Sequence, residues 1–587
     1  MENIKKKVLG CFQCKNAFCK KVCPLHVDVP FVIKGFLENK HKEVYEYLLE
    51  NNIIPNICGI LCPKEMQCSK NCLYTKTKGE LIRNDLIENY LNDKFELNYD
   101  FPEASKGRIV VVGAGPAGLT AAIILRKYGF FVDVIEAQNK IGGLLQTHIP
   151  SFRFDKTKLD NLYNALKDHI NFIFNTKLGI DLTYEDLLKY DYQILACGTT
   201  NPTRFCHDEN VLNAFDILEK FNQNSLDINN KKIGVLGCGN VAIDCARVLK
   251  RLNNDVSIVY RRTIENSPAT VSEINEAKKD NIRFIELKAL VEFKDGIGKF
   301  QKMKLVDNGP NERAGFEKTN EFEYLEYDYL IEAYGSKPNY DFLKDQSWFK
   351  LINDKGYLKT NSYLDTYFIG DYFLHPTTIV KAISDAKEVS NQLIKNYEEL
   401  IRLKNDLKDN YVVLGGSFNP ITKAHQEIID YVYQFITSNI KILPNGSNYP
   451  IKNLLPYDER VKIIKLVYPD IEIDDYETKQ NFGGTVKYLE TRNHPFFIIG
   501  SDSLKDLPKW IEFEKLVSEN KFVVFTRADE NNLSILYQNE TLKKHLNNFY
   551  LINVSVSNLS STEYRNTKSS DVVDPRVYEY LMKNNLF

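Results

Sequence analysis

The sequence of 587 residues lacks an excess of charge, a long apolar run and a recognisable export signal. Its 76 Lys and Arg nearly balance its 78 Asp and Glu, so charge gives no case for a nucleic-acid or membrane-surface protein. The longest apolar run, residues 109–125, holds three glycines and a proline, whereas a membrane span needs about 20 apolar residues. No apolar stretch follows the amino-terminal lysines. We therefore expect a cytoplasmic protein of several domains, at about 100–200 residues a domain.

Eight of the 12 cysteines lie before residue 73, in two groups. The first group reads Cys-x2-Cys-x4-Cys-x3-Cys-Pro from Cys11, and the second reads Cys-x3-Cys-Pro-x4-Cys-x3-Cys from Cys58. In a large chain without an export signal, clustered cysteines bind metal more often than they form disulfides. A four-cysteine run ending in Cys-Pro favours iron–sulfur clusters, with zinc and free thiols as the alternatives. Eight thiolates could hold two four-iron clusters.

A first dinucleotide-binding unit is predicted at residues 108–136. An apolar strand at 108–112 is followed by Gly113, Gly115 and Gly118 in a GxGxxG turn and by a helical stretch. Glycines there allow a tight turn and let the backbone approach a pyrophosphate at the helix N-terminus. Glu136 ends the next strand, 21 residues after Gly115, where an acid accepts hydrogen bonds from a ribose 2′-hydroxyl.

A second unit of the same kind is predicted at residues 232–262. Its turn contains Gly237, Gly239 and Asn240, and its next strand ends in Arg261 and Arg262 instead of an acid. Two guanidinium groups suit a 2′-phosphate, so the pattern favours NADP over NAD, with a solvated basic strand end as the alternative.

Residues 1–400 resemble the small subunit of glutamate synthase and the matching part of dihydropyrimidine dehydrogenase. Besides the glycine turns, the likeness rests on short motifs at 141–145, 149–153, 196–199, 260–263, 267–269, 369–371 and 377–383. The resemblance implies two [4Fe–4S] clusters, FAD and NADP(H). It places FAD on Gly113, Gly115, Gly118, Glu136, Gly143, Leu144, Gly370 and Asp371, and NADPH on Gly237, Gly239, Asn240, Arg261 and Arg262. A flavin between a hydride donor and one-electron clusters also agrees with their chemistry, because a flavin handles both.

The resemblance also implies a ligand set for each cluster. One cluster would use Cys11, Cys14, Cys19 and Cys72. The other would use Cys23, Cys62 and Cys68, with Glu88 as its odd ligand and Cys58 as the competitor for that place.

The last third begins with a strand at 412–414 that runs into a glycine-rich turn and a helix containing His425. Glycines at a strand end let backbone N–H groups approach phosphate, and a histidine at the next helix start can donate to a developing anion. A second motif, Ser560-Ser561-Thr562-x-x-Arg565, stands about 140 residues later. A serine or threonine caps a helix there, and Arg565, one turn in, could bind a triphosphate.

Residues 410–587 resemble the nicotinate and nicotinamide mononucleotide adenylyltransferases. Thr422 stands where the family often has the first histidine of H-x-G-H, and Ala424 replaces the glycine. The resemblance implies Mg²⁺-dependent attack of a mononucleotide phosphate on ATP, with His425, Thr422 and Arg565 as catalytic residues. Trp510 would stack on the nicotinic ring, with a core tryptophan as the alternative. The implied nucleotide-binding residues are Gly415, Gly416, Ser417, Phe418, Asn419, Asp502, Trp510, Ser561 and Thr562.

The sequence thus predicts a multidomain protein with an α-helical iron–sulfur domain, two nested Rossmann-like dinucleotide-binding domains and a Rossmann-like nucleotidyltransferase domain. The predicted function is a fusion of an NADPH-dependent oxidoreductase with a pyridine-nucleotide adenylyltransferase. The alternative is an electron-transfer subunit whose last domain is a non-catalytic nucleotide sensor. The predicted redox partner is a ferredoxin or a glutamate synthase-like large subunit. The predicted domains span 1–100, 101–202 with 326–400 (FAD), 203–325 (NADPH), a connector at 401–410, and 411–587.

Overall fold

The computed structural model describes residues 1–306, 315–346, 353, 358, 361–408, 410–446, 454–479, 484–527, 532–557 and 559–587. Two compact units divide the chain. The first comprises Met1–Leu343 and Phe368–Ser390, and the second comprises Lys344–Tyr367 and Asn391–Phe587. Among the residues described, none of the helices combines the length and apolarity that crossing a bilayer requires.

The amino-terminal part of the first unit is built from short helices. Their apolar residues, among them Phe36, Leu48 and Ile87, are fully buried. Asp28 caps the third helix by accepting a hydrogen bond from the backbone N–H of Phe31 at 3.1 Å, which satisfies one of the donors that a helix start leaves free. The helices are α1 (Glu2–Val8), α2 (Phe18–Val22), α3 (Val29–Leu37), α4 (His41–Asn52), α5 (Pro55–Leu61), α6 (Leu73–Lys78) and α7 (Asn84–Lys94).

A parallel sheet follows in the first unit. Four of its strands have the order β4-β1-β2-β3, and β1 and β2 pair in register from Arg108 opposite Phe131. Both are buried along four of five positions, which explains their continuous apolar runs. The elements are β1 (Arg108–Val112), α8 (Pro116–Tyr128), β2 (Phe131–Ile135), α9 (Leu144–Thr147), α10 (Thr157–Leu166), β3 (Asn171–Ile173), β4 (Tyr192–Leu195) and β5 (Asn201–Pro202).

A second parallel sheet of the first unit has the strand order β6-β13-β7-β8-β9, and a three-stranded antiparallel sheet, β10-β11-β12, is inserted after β9. The strands and helices are β6 (Val211–Asn213), α11 (Ala214–Asn222), β7 (Lys232–Leu236), α12 (Asn240–Arg251), β8 (Asp255–Val259), α13 (Val271–Lys279), β9 (Arg283–Ile285), β10 (Lys288–Lys294), β11 (Ile297–Val306), β12 (Gly315–Glu326), β13 (Tyr329–Glu332) and β14 (Ser336–Lys337).

Four elements lie between this region and the last sheet. They are β15 (Ser362–Tyr363), β16 (Thr366–Phe368), α14 (Asp371–Leu374) and α15 (Ile379–Leu407). The division between the two units falls within α15. The connector predicted at 401–410 overlaps the last two turns of this helix. Leu403 and Leu407 of these turns belong to the apolar core of the second unit.

The second unit contains a six-stranded parallel sheet of order β19-β18-β17-β20-β21-β22. The order reverses between β17 and β20, and ligands of open α/β sheets bind at the carboxyl ends of strands beside such a reversal. Its elements are β17 (Val412–Gly416), α16 (Lys423–Tyr431), β18 (Ile440–Pro444), α17 (Tyr457–Val467), β19 (Glu472–Ile473), α18 (Tyr476–Lys479), α19 (Gly484–Thr491), β20 (Phe496–Gly500), α20 (Ser501–Asp506), α21 (Phe513–Glu519), β21 (Phe522–Arg527), α22 (Asn532–Tyr537), α23 (Glu540–Lys544), β22 (Phe549–Val556), α24 (Ser561–Thr567) and α25 (Pro575–Lys583).

Candidate functional sites

Four cysteines lie near one another at the amino end of the first unit. Burial, with smaller contributions from the neighbouring thiols of Cys72 and Cys11, raises the pKa of Cys19 to about 11. Burial also raises the pKa of Cys11, with contributions from Cys72 and Cys14. Crowded thiols of this kind ionise when a cation is present to offset their mutual repulsion. The four residues predicted to bind one cluster thus interact electrostatically, although among the residues that the structure describes no three His, Cys, Asp or Glu side chains are arranged as a metal site.

The other four cysteines of the two groups line a pocket together with Glu88; they are Cys23, Cys58, Cys62 and Cys68. A hydrogen bond with Cys58 and burial raise the pKa of the Cys62 thiol well above its ordinary value. Burial raises the pKa of Cys68 to about 12. Both predicted candidates for the fourth ligand of the second cluster border this pocket.

Glu88 is buried in the wall of that pocket, 4% exposed. Asn84 Nδ2 donates a hydrogen bond to its Oε1 at 3.1 Å. Its Oε2 accepts no hydrogen bond from the described residues and lies 3.5 Å from Nζ of Lys64. Burial raises the pKa of Glu88, while Lys64 opposes that rise. Glu88 therefore pairs with Lys64 at the wall of the thiol pocket, where its carboxylate also suits a metal ligand.

Of the three glycines in the turn after β1, only Gly115 has room for a side chain. A Cβ on Gly118 would lie 1.9 Å from the carbonyl oxygen of Gly113, and a Cβ on Gly113 would lie 2.4 Å from that of Ala196. A Cβ on Gly115 would meet no atom within 4 Å. The N-terminus of α8 is therefore open beside Gly115, which fits the close approach of a pyrophosphate.

Two further predicted segments lie beside this turn. A Cβ on Gly143 would lie 3.1 Å from Cα of Gly115, and a Cβ on Gly370 would lie 2.6 Å from Cβ of Ala117. Leu144 begins α9 directly after Gly143. The structure thus brings the segments at 143–144 and 370–371 to the N-terminus of α8.

Of the two acids predicted to hold FAD, Glu136 is buried and Asp371 is half-buried, and both accept hydrogen bonds from the backbone. Glu136 accepts from the N–H of Ala114 at 2.7 Å and from that of Gln138 at 2.9 Å, while burial raises its pKa. Asp371 accepts from the N–H of Thr377 at 3.1 Å, and burial raises its pKa to about 7. These bonds hold both carboxylates in place beside the glycine turn.

The second glycine turn, after β7, has the same geometry. A Cβ on Gly237 would lie 2.7 Å from the carbonyl oxygen of Ala333, whereas a Cβ on Gly239 would meet only Pro268, at 3.7 Å. Asn240 Oδ1 accepts a hydrogen bond from the N–H of Thr270 at 3.2 Å. The N-terminus of α12 is therefore open on the side of Gly239.

Phe316 on β12 lies against both predicted arginines. Its ring centre is 4.4 Å from the guanidinium carbon of Arg261 and 4.7 Å from that of Arg262. Sequence reasoning missed Phe316, because nothing in the pattern of the inserted sheet indicates that its third strand returns to the end of β8.

A buried ion network involving residue 153 was also missed. Arg153 binds Asp244 of α12 and lies 2.8 Å from Glu273 of α13. Burial raises the pKa of Asp244 to about 6 although Arg153 opposes the rise. The segment at 149–153 is thereby attached to the helix that follows the second glycine turn.

The loop after β17 in the second unit packs tightly. A Cβ on Gly415 would lie 2.5 Å from the ring of Phe497, and one on Gly416 would lie 3.3 Å from that of Phe418. Arg460 is fully buried and donates to the carbonyl oxygens of Ser417, Leu455 and Asn445 at 2.7, 3.0 and 2.5 Å. Sequence reasoning missed Arg460, although its spacing from Ile463 and Ile464 places it on the buried face of α17.

Thr422 and His425 are joined at the start of α16. The backbone N–H of Thr422 donates to Nδ1 of His425 at 3.2 Å, and Oγ1 of Thr422 lies 2.7 Å from the same nitrogen. Because a backbone N–H can only donate, Nδ1 is the acceptor, and the neutral ring carries its proton on Nε2. Phe418 packs against the ring of His425, with their centres 5.0 Å apart.

The motif at 560–565 reaches the same loop. Arg565 donates to the carbonyl oxygen of Asn419 at 2.8 Å and to Oγ1 of Thr562 at 2.9 Å. Ser561 Oγ donates to the carbonyl oxygen of Pro420 at 2.8 Å. The structure therefore brings together the two predicted motifs that are about 140 residues apart in the sequence.

Asp502 and Trp510 lie farther along the sheet. Asp502 is exposed in the first turn of α20. Trp510 is half-buried and packs with its ring edge toward Phe497, at 6.3 Å between ring centres, against an apolar core cluster. In this structure Trp510 makes the contacts of a core residue.

Three family models match successive parts of the chain. Residues 1–99 match the 4Fe-4S domain II of dihydropyrimidine dehydrogenase, residues 107–386 match the pyridine nucleotide-disulphide oxidoreductases, and residues 413–567 match a cytidylyltransferase-like family.

Curated relatives match the first two of these parts. UacF of Escherichia coli is 29% identical over 434 residues, which is 66% of this chain and 67% of UacF. YgfK of Escherichia coli O157:H7 is 28% identical over 65% of this chain, but the match spans only 38% of YgfK. The NADPH glutamate synthase small chain of Escherichia coli is 29% identical over 56% of this chain and 76% of its own length.

These findings confirm the expected resemblance to glutamate synthase small subunits. The chain is an enzyme with an FAD/NADP-type oxidoreductase region, a 4Fe-4S domain and a nucleotidyltransferase-like domain.

Proposed function

We propose that the chain is a bifunctional enzyme. One half oxidises NADPH through FAD and two [4Fe–4S] clusters, and the other half transfers the adenylyl group of ATP to nicotinate or nicotinamide mononucleotide. The observation that supports the redox half is the convergence of the turn at 113–118 with the segments at 143–144 and 370–371.

In the redox half, this chain's residues would bind and orient the cofactors. Gly115 leaves room for the FAD pyrophosphate, Glu136 would bind the ribose and Asp371 the ribityl chain. When bound, FAD accepts a hydride from NADPH and passes its electrons singly to the clusters. Arg261 and Arg262 would bind the 2′-phosphate of NADPH.

The test of the redox half is anaerobic purification of the full chain. We expect a brown protein with about one FAD, eight iron and eight sulfide per chain, bleached by NADPH. Stoichiometric zinc without iron after anaerobic reconstitution would refute the cluster assignment. Replacing Arg261 and Arg262 by alanine should raise the KM for NADPH far more than that for NADH.

The observation that supports the adenylyltransferase half is the bond from the Thr422 N–H to Nδ1 of His425. This bond places the proton of the neutral ring on Nε2, from which it would donate to phosphate oxygens. Arg565, which donates to Asn419 and Thr562, would supply a positive charge. The mononucleotide phosphate oxygen forms a bond to the α-phosphorus of ATP as the bond to the leaving pyrophosphate breaks. Catalysis is then positioning and charge neutralisation.

The full chain incubated with ATP, Mg²⁺ and nicotinate mononucleotide tests this half by chromatography of the dinucleotide. His425→Ala should lower kcat by at least about 100-fold, and His545→Ala is the matched control because His545 lies outside the two motifs. ATP binding without dinucleotide formation, with either the acid or the amide mononucleotide, would instead support the nucleotide-sensor alternative.

A further inference from the structure

Exposed apolar side chains surround the first cysteine group. Leu9, Phe12, Phe18 and Leu73 are 69%, 50%, 62% and 49% exposed. Three of them lie next to a cysteine in the sequence: Phe12 next to Cys11, Phe18 next to Cys19, and Leu73 next to Cys72. We call these four residues and the cysteines beside them the Cys72 surface. Exposed large apolar side chains that cluster at one place mark an interaction site.

The parts of this surface are neighbours in space. The ring of Phe12 packs edge-on against that of Tyr74, with their centres 5.5 Å apart. A Cβ on Gly10 would lie 2.3 Å from the ring of Tyr74. The segments around Cys11 and Cys72 are therefore packed together, and their exposed apolar side chains belong to one region.

Lysines surround the Cys72 surface. Residues 1–23 contain six lysines and one acid, and residues 66–79 contain three lysines and no acid. Lys6, Lys7, Lys15, Lys76 and Lys78 are exposed, and none of these five forms a salt bridge to another residue that the structure describes. The chain as a whole has a net charge of −2, so this positive charge is local.

Three acids near this surface have hydrogen-bond or ion-pair partners. Glu80 accepts a hydrogen bond from the hydroxyl of Tyr74 at 3.0 Å. Asp28 lies 2.9 Å from Nζ of Lys20. Glu65 accepts from the N–H and hydroxyl of Ser272 at 3.1 and 2.6 Å. Asp28 is therefore paired with a lysine, whereas Glu80 and Glu65 keep their negative charge; the nine lysines of residues 1–23 and 66–79 still outnumber these three acids and Glu2.

We propose that the Cys72 surface docks a small acidic one-electron carrier protein of the ferredoxin class. An apolar centre with a basic rim is complementary to a carrier whose redox centre lies beneath an acidic rim, and such complementarity raises association rates by about 10- to 1,000-fold at low salt. The inference rests on the proposed redox function, because an electron leaves through the cluster nearest this surface. One NADPH and two oxidised carriers give NADP⁺, one H⁺ and two reduced carriers.

Two measurements on the holoenzyme test the proposal. Calorimetry with oxidised acidic plant-type ferredoxin measures binding without turnover, and anaerobic spectroscopy measures ferredoxin reduction by NADPH. We expect binding that weakens at least tenfold between low and high salt. The variants Lys76→Glu with Lys78→Glu, and separately Phe18→Ser, should each weaken binding and slow ferredoxin reduction about tenfold. NADPH reduction of a small uncharged quinone should be unchanged in both.

Matched controls lie on other parts of the first unit. Lys294→Glu with Lys304→Glu reverses two exposed charges on β10 and β11, and Ile180→Ser removes an apolar side chain that is 72% exposed. The docking proposal is overturned if the controls weaken binding as much as the test variants, if binding is independent of salt, or if basic cytochrome c binds more tightly than ferredoxin. Loss of quinone reduction in the wild type would instead refute the proposed redox function, while calorimetry would still test the surface.

Discussion

Thr422 shows how a single residue sets the chemistry of the second unit. It is fully buried and contacts Nδ1 of His425 through both its backbone N–H and its hydroxyl. The residue that stands in place of the family's first histidine thus contacts the remaining histidine and holds its ring in one orientation.

Thr422→Val tests the orienting role of the hydroxyl. Valine keeps the backbone N–H but removes Oγ1, so Nδ1 of His425 loses one of its two contacts with residue 422. We expect kcat for dinucleotide formation to fall about tenfold, equivalent to about 1.4 kcal/mol, with KM for ATP little changed. Thr491→Val is the control, since its hydroxyl donates to the carbonyl oxygen of Tyr488, outside both motifs. An unchanged kcat would show that the hydroxyl has no such role.

Substitution of Glu88 or Cys58, followed by analysis of the bound iron, shows which of the two is the fourth ligand of the second cluster. Because Glu88 lines the same pocket as Cys23, Cys62 and Cys68, we expect Glu88→Ala to lose or alter one cluster in the low-temperature magnetic resonance spectrum. Cys58→Ser should retain both clusters, and Cys206→Ser, outside both cysteine groups, is the control. The reverse result would assign the fourth ligand to Cys58.

Phe316 is expected to position the two arginines that bind the 2′-phosphate. Loss of ring contacts with Arg261 and Arg262 costs about 1 kcal/mol, so Phe316→Leu should raise the KM for NADPH about fivefold and leave that for NADH unchanged. The control is Phe322→Leu on the same strand, where Nζ of Lys299 lies 4.5 Å from the ring centre. Equal changes for both coenzymes would exclude a role specific to the phosphate.

At the scale of elements, a strand followed by a glycine turn and a helix recurs after β1, β7 and β17. Each occupies the position where a parallel sheet exposes the N-terminus of a helix at the carboxyl end of its strands. The glycines of one turn have different neighbours, however. Substituting them one at a time therefore tests the role of each.

Gly118→Ala should lower the thermal stability of the protein, whereas Gly115→Ala should lower its FAD content. The alanine Cβ at 118 would collide with the carbonyl oxygen of Gly113, so we expect a lower Tm of the apoprotein by several degrees. At 115 it enters open space, so the Tm should stay near that of the wild type while FAD content after reconstitution falls. Thermal unfolding and flavin fluorescence measure the two effects. Full flavin content in Gly115→Ala would contradict the assignment of the turn.

At the scale of the whole molecule, two compact units each have their own core and their own candidate site. The apolar core of the second unit includes the last turns of α15, which the sequence assigned to a connector.

The two activities should therefore be separable by point substitution. His425→Ala should abolish dinucleotide formation and leave the rate of NADPH-dependent quinone reduction unchanged, and Gly115→Ala should do the reverse. Both rates are measured on the same full-length preparations. A loss of both rates in either variant would show that the sites depend on one another.

The glycine turns, the cysteine groups and the order of the α/β units can all be predicted from the sequence alone. These features depend on neighbours within about 30 residues, and local spacing therefore reports them. It also paired the motifs around His425 and Arg565 through family resemblance.

The contacts of Phe316, Arg460 and Glu88, by contrast, became known from the folded structure. Each depends on burial beside residues distant in the chain, or on a neighbour that no short motif specifies. A buried charge or an aromatic ring has the same letter in the sequence whether it faces solvent or a functional loop. Its role follows from the atoms that surround it, and folding alone brings those atoms together.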